Sequence, residues 1–375
     1  MTEAGVFTIG GKRIKLGESR DIALKVSETS MGAPVAVPVR VVRGQSPGPA
    51  VFVTGAVHGD ELNGTGIIRE LMFSNLELTS GTLVLVPVVN VFGFERHTRY
   101  LPDRRDLNRC FPGDERGNLA FRLASVIFHE VVGRCSYGID LHTAAQRRTN
   151  FPHVRADLSI PEVAELARWF GCEVIADRKG DERSLRQVAC DNGCFTIILE
   201  AGEALKIEPG TVELGVRGVK NVLKRLKMLK GKPVRPVYQT TVKRSVWVRA
   251  QWGGLLRFHV APGSMVEKDA VLATCDGFFR EESPSVLAPV SGIVLGMTTL
   301  PIVRPGEPIC HIGISSKPLA QIREEIARAP RALHRQVQAQ LAADIRVVEP
   351  PARPSARRSE RSLERGSERP GERED

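Results

Sequence analysis

Between residues 35 and 230 two hydrophobic patterns alternate. Short, nearly continuous apolar runs occur at 50–56 (AVFVTGA), 82–90 (TLVLVPVVN), 136–143 (SYGIDLHT), 172–176 (CEVIA) and 194–202 (CFTIILEAG). Runs of that length without polar alternation read as strands covered on both faces. Amphipathic stretches separate them at about 63–74, 117–133, 160–170, 183–192 and 209–229. The last sets Val212, Val216, Val219, Leu223 and Leu226 at helical spacing, so one face is apolar and packs against the sheet. The alternation predicts an α/β domain over 1–230, with a mixed, largely parallel sheet flanked by helices and a β lead-in at its amino end. Residues 91–116 have no periodicity and many arginines, and a loop that long in a compact domain is commonly functional.

The pattern changes near 231. KGKPVRP ends the helix, and short strands with APG, DG and PG turns follow, which predicts a C-terminal all-β domain over 231–316. Within it, 254–273 and 291–312 share a loose strand, V-x-P-G turn, strand pattern, similar to barrel-sandwich domains. It has no Met-Lys hairpin tip of the kind that carries a prosthetic arm. Residues 317–375 read as a basic amphipathic helix, packed on the β domain, and then a charged tail. The tail is nearly devoid of apolar groups and is expected to be disordered.

Composition narrows the function class. A chain of 375 residues, 42% hydrophobic, buries a core of enzyme size. The amino terminus lacks the sections of a signal peptide and no apolar run reaches the ~20 residues of a membrane span, so the cytoplasm is the expected location and no membrane partner is expected. The seven cysteines form no C-x-x-C pair, which argues against a disulfide framework. The net charge of +10 comes with arginines clustered in two places and few aromatics between them, so nucleic acid is disfavoured and an anionic small molecule fits better. A homo-oligomer is compatible with the sequence.

Four segments carry chemistry. Gly55-Ala56-Val57-His58-Gly59-Asp60-Glu61 follows a strand and precedes a helix, so a tight turn can aim an imidazole and a carboxylate at one point. His142, in Asp140-Leu141-His142-Thr143, ends a strand, and ligands gather at the carboxyl ends of parallel strands. His58, Glu61 and His142 would form a His₂Glu zinc site with an open fourth position, one ion per chain. Asp140 suits either a buried partner to a backbone group or an arginine, or a carboxylate that orients an imidazole. Glu200 ends the run 196–202, where partial desolvation strengthens a carboxylate as a general base. The loop 99–109 gathers guanidinium groups, the usual grip on a carboxylate, although Arg104 and Arg105 read better as solvated.

Assembled in this order, G-A-V-H-G-D-E at 55–61, R-Y with D-L-N-R over 99–109, D-L-H-T at 140–143 and L-E-A-G at 199–202 make the chain resemble the succinylglutamate desuccinylase/aspartoacylase family over about 35–314. The resemblance implies a zinc carboxypeptidase-like fold in which His58, Glu61 and His142 bind zinc and Glu200 activates water. It also implies that Arg99 stabilises the oxyanion, and that Asn108 and Arg109 hold the substrate carboxylate. Arg147, Arg148, His153 and Arg155 follow D-L-H-T and are expected to make the pocket cationic, with Arg148 as a further substrate contact. The expected substrate is an N-acyl amino acid with two or more carboxylates. The alternatives are a carboxypeptidase that trims acidic peptide termini and a non-catalytic anion-binding relative.

Overall fold

The computed structural model describes residues 6–279, 282–329, 333–345 and 347–349. The charged tail from 351 onward, expected to be disordered, lies outside the described residues.

The amino end forms a small hairpin, β1 (Phe7–Ile9) with β2 (Lys12–Ile14), then two long strands, β3 (Ser19–Glu28) and β4 (Pro34–Arg43). Ile22, Leu24 and Val26 face inward on β3, as do Val37, Val39 and Val41 on β4. This period of two marks antiparallel strands that bury one face. The α/β order follows: β5 (Ser46–Gly55), α1 (Asn63–Phe73), β6 (Ser80–Val86), the short α2 (Val91–Glu95), α3 (Leu119–Glu130), β7 (Tyr137–His142) and β8 (Arg148–Ala156). Then come α4 (Pro161–Phe170), β9 (Val174–Asp177), α5 (Leu185–Asp191), β10 (Phe195–Glu203) and α6 (Pro209–Arg225). The five helices expected from periodicity are α1, α3, α4, α5 and α6.

The fold is mixed α/β, and its parallel character sits in particular places. β6, β5, β7 and β10 run parallel at the centre, while β4 and β3 add antiparallel on one side and β8 pairs antiparallel to β10 on the other. β8 is absent from the strands read off the sequence. Arg148-Thr-Asn-Phe-Pro-His-Val-Arg-Ala156 carries too many polar groups to look like a covered strand, yet Thr149, Phe151, His153 and Val154 are all buried. One side of β8 meets the helical core and the other lines a pocket, so its polar groups are enclosed without being apolar.

After residue 231 the chain is β through 315: β11 (Thr240–Arg249), β12 (Gly254–Phe258), β13 (Met265–Val266), β14 (Val271–Asp276), β15 (Ser285–Leu287), β16 (Gly292–Thr298), β17 (Ile302–Val303) and β18 (Pro308–Ser315). Strands β12, β14, β15 and β17 form a separate four-stranded sheet. The others join the main sheet, since β11 runs parallel to β9, β18 pairs with β11, β16 with β18, and β16 closes back onto β8. β8, β9, β11, β18 and β16 therefore complete a five-stranded circuit with no free edge, so strands from both halves of the chain enclose one space.

Two helices, α7 (Leu319–Ala327) and α8 (Leu333–Ile345), follow. They carry the basic amphipathic stretch, but α8 packs chiefly on α6 and β8, not on the β segment alone. Val337 and Leu341 sit in the central core, while Ile345 and Ala342 reach the C-terminal cluster. No helix among the described residues is long and apolar enough to cross a membrane.

Near this junction Glu173 is buried with Oε2 unpartnered, and burial, opposed by the charge of Arg217, pushes its carboxyl up to about 7. Between its ordinary value of 4.5 and about 7 the folded state holds a proton that the unfolded state has lost, so stability falls as pH rises through that window. Glu173→Gln removes the penalty. The variant is expected to gain about 3 kcal/mol over the parent on going from pH 4.5 to 8 in denaturant titrations. A difference that stays constant across that range would contradict the assignment.

Candidate metal and active site

The carboxyl ends of β5, β7 and β10 converge, and adjacent pairing sets Glu200 beside His142. After β5 the chain turns sharply, with Ala56 at φ +49°, a left-handed backbone that a residue with a side chain adopts only where its surroundings hold it. Gly59 follows in a turn pressed on α2, where an added Cβ would lie 2.1 Å from the Gly93 carbonyl carbon. This geometry brings His58 and Glu61 back over the strand ends.

His58 Nδ1 lies 2.7 Å from Glu61 Oε1, and His142 Nδ1 lies 2.9 Å from Glu61 Oε2. The other ring nitrogens are also occupied: His58 Nε2 is 3.1 Å from Asp106 Oδ1 and His142 Nε2 is 2.8 Å from Asp140 Oδ2. Asp140 is itself fixed by the Thr54 hydroxyl, which donates to Oδ1 at 2.8 Å. Donation from Nε2 to a carboxylate leaves Nδ1 as the ligand atom and sets the ring's direction. The donor atoms of His58, Glu61 and His142 all lie within 4.8 Å of one another, and all three residues are buried.

The charges fit a divalent ion. Burial disfavours the charged imidazole of His58, but the charge of Glu61 and bonds to Asp106 and Glu61 outweigh it and raise its pKa. His142 is likewise held far above its ordinary value against burial, by Asp140 and Glu61. Burial would raise the Glu61 carboxyl, yet the two imidazoles hold it far below its ordinary range. Glu61, Asp106 and Asp140 bring three negative charges and Arg99 one positive. Two extra imidazole protons or one divalent cation balance the remainder equally well, and the donor set therefore fits a metal ion.

Arg99 donates to Glu61 Oε1 at 3.3 Å and to Asp106 Oδ2 at 2.9 Å. Asp106 also accepts the Asn108 N–H at 2.9 Å and so joins His58, Arg99 and the turn carrying Asn108 and Arg109. Sequence reasoning quoted this aspartate in its motif without giving it a role. The Asn108 side-chain oxygen accepts from the Leu185 N–H at 2.9 Å, which leaves its amide nitrogen as the group it can offer a ligand. Arg109 pairs with Asp181 at 2.7 Å, both half-exposed, a contact that a substrate carboxylate can replace at little cost.

Glu200 is buried in the same pocket, with Asn150 donating to Oε2 at 3.0 Å and Arg155 3.1 Å from Oε1. The cavity measures about 530 Å³ and is lined by His58, Arg99, Asn108, Arg109, His142 and Glu200, among others. Arg148 reaches its wall, with the guanidinium 5.1 Å from the Trp247 ring, which stacks on His311 at 4.5 Å. Two expectations for the pocket change. Arg147 is exposed and lies outside the lining. His153 adds no charge, because burial and Arg155 push its pKa down to about 3 while its Nδ1–H donates to the Phe151 carbonyl. Sequence reasoning missed Asn150, Arg178, Arg186, Trp247 and His311. Arg178, Arg186, Trp247 and His311 come from segments brought to the pocket by the five-strand circuit or by α5, and no local pattern marks them.

A mixed α/β fold with a buried His-Glu-His cluster at the carboxyl ends of its parallel strands defines the class of protein. Residues 47–226, which carry His58, Glu61, His142 and Glu200, match the succinylglutamate desuccinylase/aspartoacylase catalytic domain. An N-alpha-acetyl-L-2,4-diaminobutyric acid deacetylase from Halomonas elongata is 29% identical over 259 residues, covering 66% of this chain and 75% of that protein. A succinylglutamate desuccinylase/aspartoacylase structure from Rhodobacter sphaeroides has a TM-score of 0.70 at 23% identity, covering 80% of this chain and 96% of its own. The product-bound ectoine utilization protein EutE (DoeB) of Ruegeria pomeroyi has a TM-score of 0.69 at 22% identity, covering 79% and 95%.

Proposed function

We propose that the protein is a zinc-dependent deacylase that hydrolyses the amide bond of an N-acyl amino acid. The observation that carries this reading is the convergence of His58, Glu61 and His142 donor atoms, with Glu200 in the same pocket. The family's hydrolases and the deacetylase relative support it.

When held by His58, Glu61 and His142, zinc supplies Lewis acidity and acidifies water. Glu200, anchored by Asn150 and Arg155, accepts the proton of the attacking water and returns it to the leaving amine. Arg99, beside the metal donors, donates to the oxygen of the scissile carbonyl as charge develops there. Asn108 and Arg109 hold the carboxylate of the amino-acid half, and Arg148 flanks it at the pocket wall. Enclosure by the β8, β9, β11, β18 and β16 circuit limits the substrate to a small molecule and weighs against a peptide chain. The zinc carboxypeptidase-like arrangement is part of the same proposal.

The test is metal analysis of the purified protein, with hydrolysis of N-acetyl and N-succinyl amino acids before and after chelation. About one zinc per chain is expected, with turnover lost on chelation and restored by zinc. Full turnover in metal-free protein would overturn the mechanism.

A further inference from the structure

Glu200 and the metal donors stand on separate segments, and contacts outside the pocket set the distance between them. On β10, Ile198 and Glu200 face the pocket while Ile197, Leu199 and Ala201 face the central core, the alternation of a regular strand. That regularity ends just after Glu200. Between the Glu200–His153 and Gly202–Asn150 pairs β8 has one residue more than β10, a bulge of the kind that bends a ladder and re-aims side chains next to a site. Asn150 thereby comes opposite Gly202, and it is the residue that donates to Glu200 Oε2 at 3.0 Å. What holds residue 202 in place therefore also holds Glu200.

Gly202 has φ +74°, and its carbonyl accepts the Ala144 N–H at 3.0 Å, two residues past His142. The Glu208 carboxylate is seated on its α-carbon, where an added Cβ would lie 1.7 Å from Glu208 Oε2 and 2.4 Å from Asn63 Nδ2. Glu208 Oε2 accepts the Glu203 N–H at 3.1 Å and Asn63 Nδ2 at 2.7 Å. Asn63 Nδ2 also donates to the Ala201 carbonyl at 3.2 Å, and Asn63 Oδ1 accepts the Glu208 N–H at 2.8 Å. Both amide hydrogens and the oxygen of the Asn63 side chain are thus engaged, at a residue 1% exposed, with Glu208 at 3%.

Glu208 forgoes a local role to make these contacts. It stands at the N-cap of α6, where a side-chain oxygen ordinarily accepts a helix N–H, yet it makes no cap bond and reaches back to residue 202. Asn63 opens α1 two residues after Glu61, and the Leu205 N–H donates to the Asp60 carbonyl at 2.7 Å. The loop after β10 is therefore fastened to the metal-donor turn at two points, and a buried polar network whose members are all bonded is rigid.

We propose that Asn63 and Glu208 are positioning residues, which with Gly202 fix the distance between the Glu200 carboxylate and the donor atoms of His58, Glu61 and His142. Neither lines the pocket, so each acts through Glu200. This rests on the deacylase reading for the role of Glu200 and on the hydrogen bonds for the bracket itself.

Steady-state kinetics, zinc analysis and crystal structures of zinc-loaded Glu208→Ala and Glu208→Gln are the test. Glu208→Ala is expected to lose about 10- to 100-fold in kcat, the cost of a misplacement of roughly 1 Å, with KM within about threefold of the parent and zinc content unchanged. Glu208→Gln keeps an oxygen acceptor at the same place and is expected to recover most of the loss. Asn63→Ser is expected to repeat the effect on kcat and covers the case in which Glu208→Ala fails to fold. Unchanged kcat in the folded variants overturns the proposal. So does a loss of zinc in step with kcat, which would make the network a support for the metal-donor turn alone. If the zinc-loaded parent hydrolyses no amide, the deacylase reading falls and the crystal structures decide: Glu200 displaced from the donor atoms in Glu208→Ala supports the bracket, and an unmoved Glu200 overturns it.

Discussion

Glu200→Gln is expected to lower turnover of an N-acyl amino acid by roughly 10³-fold while zinc content stays at that of the parent. The glutamine keeps the shape of the side chain and a hydrogen-bond acceptor for Asn150, but it takes no proton from water. Glu200 is not among the three converging donors, so the metal has no reason to leave. The substitution also removes the negative partner of Arg155, so steady-state kinetics should separate kcat from KM, with the loss falling chiefly on kcat. A variant that retains a tenth of parental kcat with zinc bound would remove Glu200 as the base.

The second large effect concerns the metal. His142→Asn is expected to abolish stoichiometric zinc and bring hydrolysis to background, since two remaining donors do not make a closed three-ligand set. Asp140→Asn should act more gently. It leaves His142 in place but weakens the acceptor that holds its Nε2, and zinc affinity is expected to fall about 10- to 100-fold. Competition with a chelator measures both, and the gradation between them is the informative result. Equal loss in the two variants would mean that Asp140 supports the local fold and not the ligand.

The candidate site was legible in unequal parts. His58, Glu61, His142 and Glu200 stand at strand ends or in a strand-to-helix turn, positions where sequence pattern and chemistry coincide, and in the structure they face one pocket. The loop 91–116 was visible only as a long arginine-rich stretch. Its internal order, with Asp106 linking His58, Arg99 and Asn108, depends on contacts between segments nearly fifty residues apart. The parallel centre followed from continuous apolar runs. β8 did not, because a strand with one side on a polar cavity carries arginines, asparagine and histidine.

The sequence by itself determined the α/β alternation, the central strands, the five flanking helices and the turn and strand end that carry His58, Glu61 and His142, because local periodicity and turn chemistry act over a few residues. Tertiary structure alone decided that β16 closes back on β8, that α8 docks on α6, and that Arg155, Arg178 and Arg186 meet in one cavity. Those contacts join segments from distant parts of the chain. Their free energy comes from enclosing shared surface and charge, which no short window of residues records.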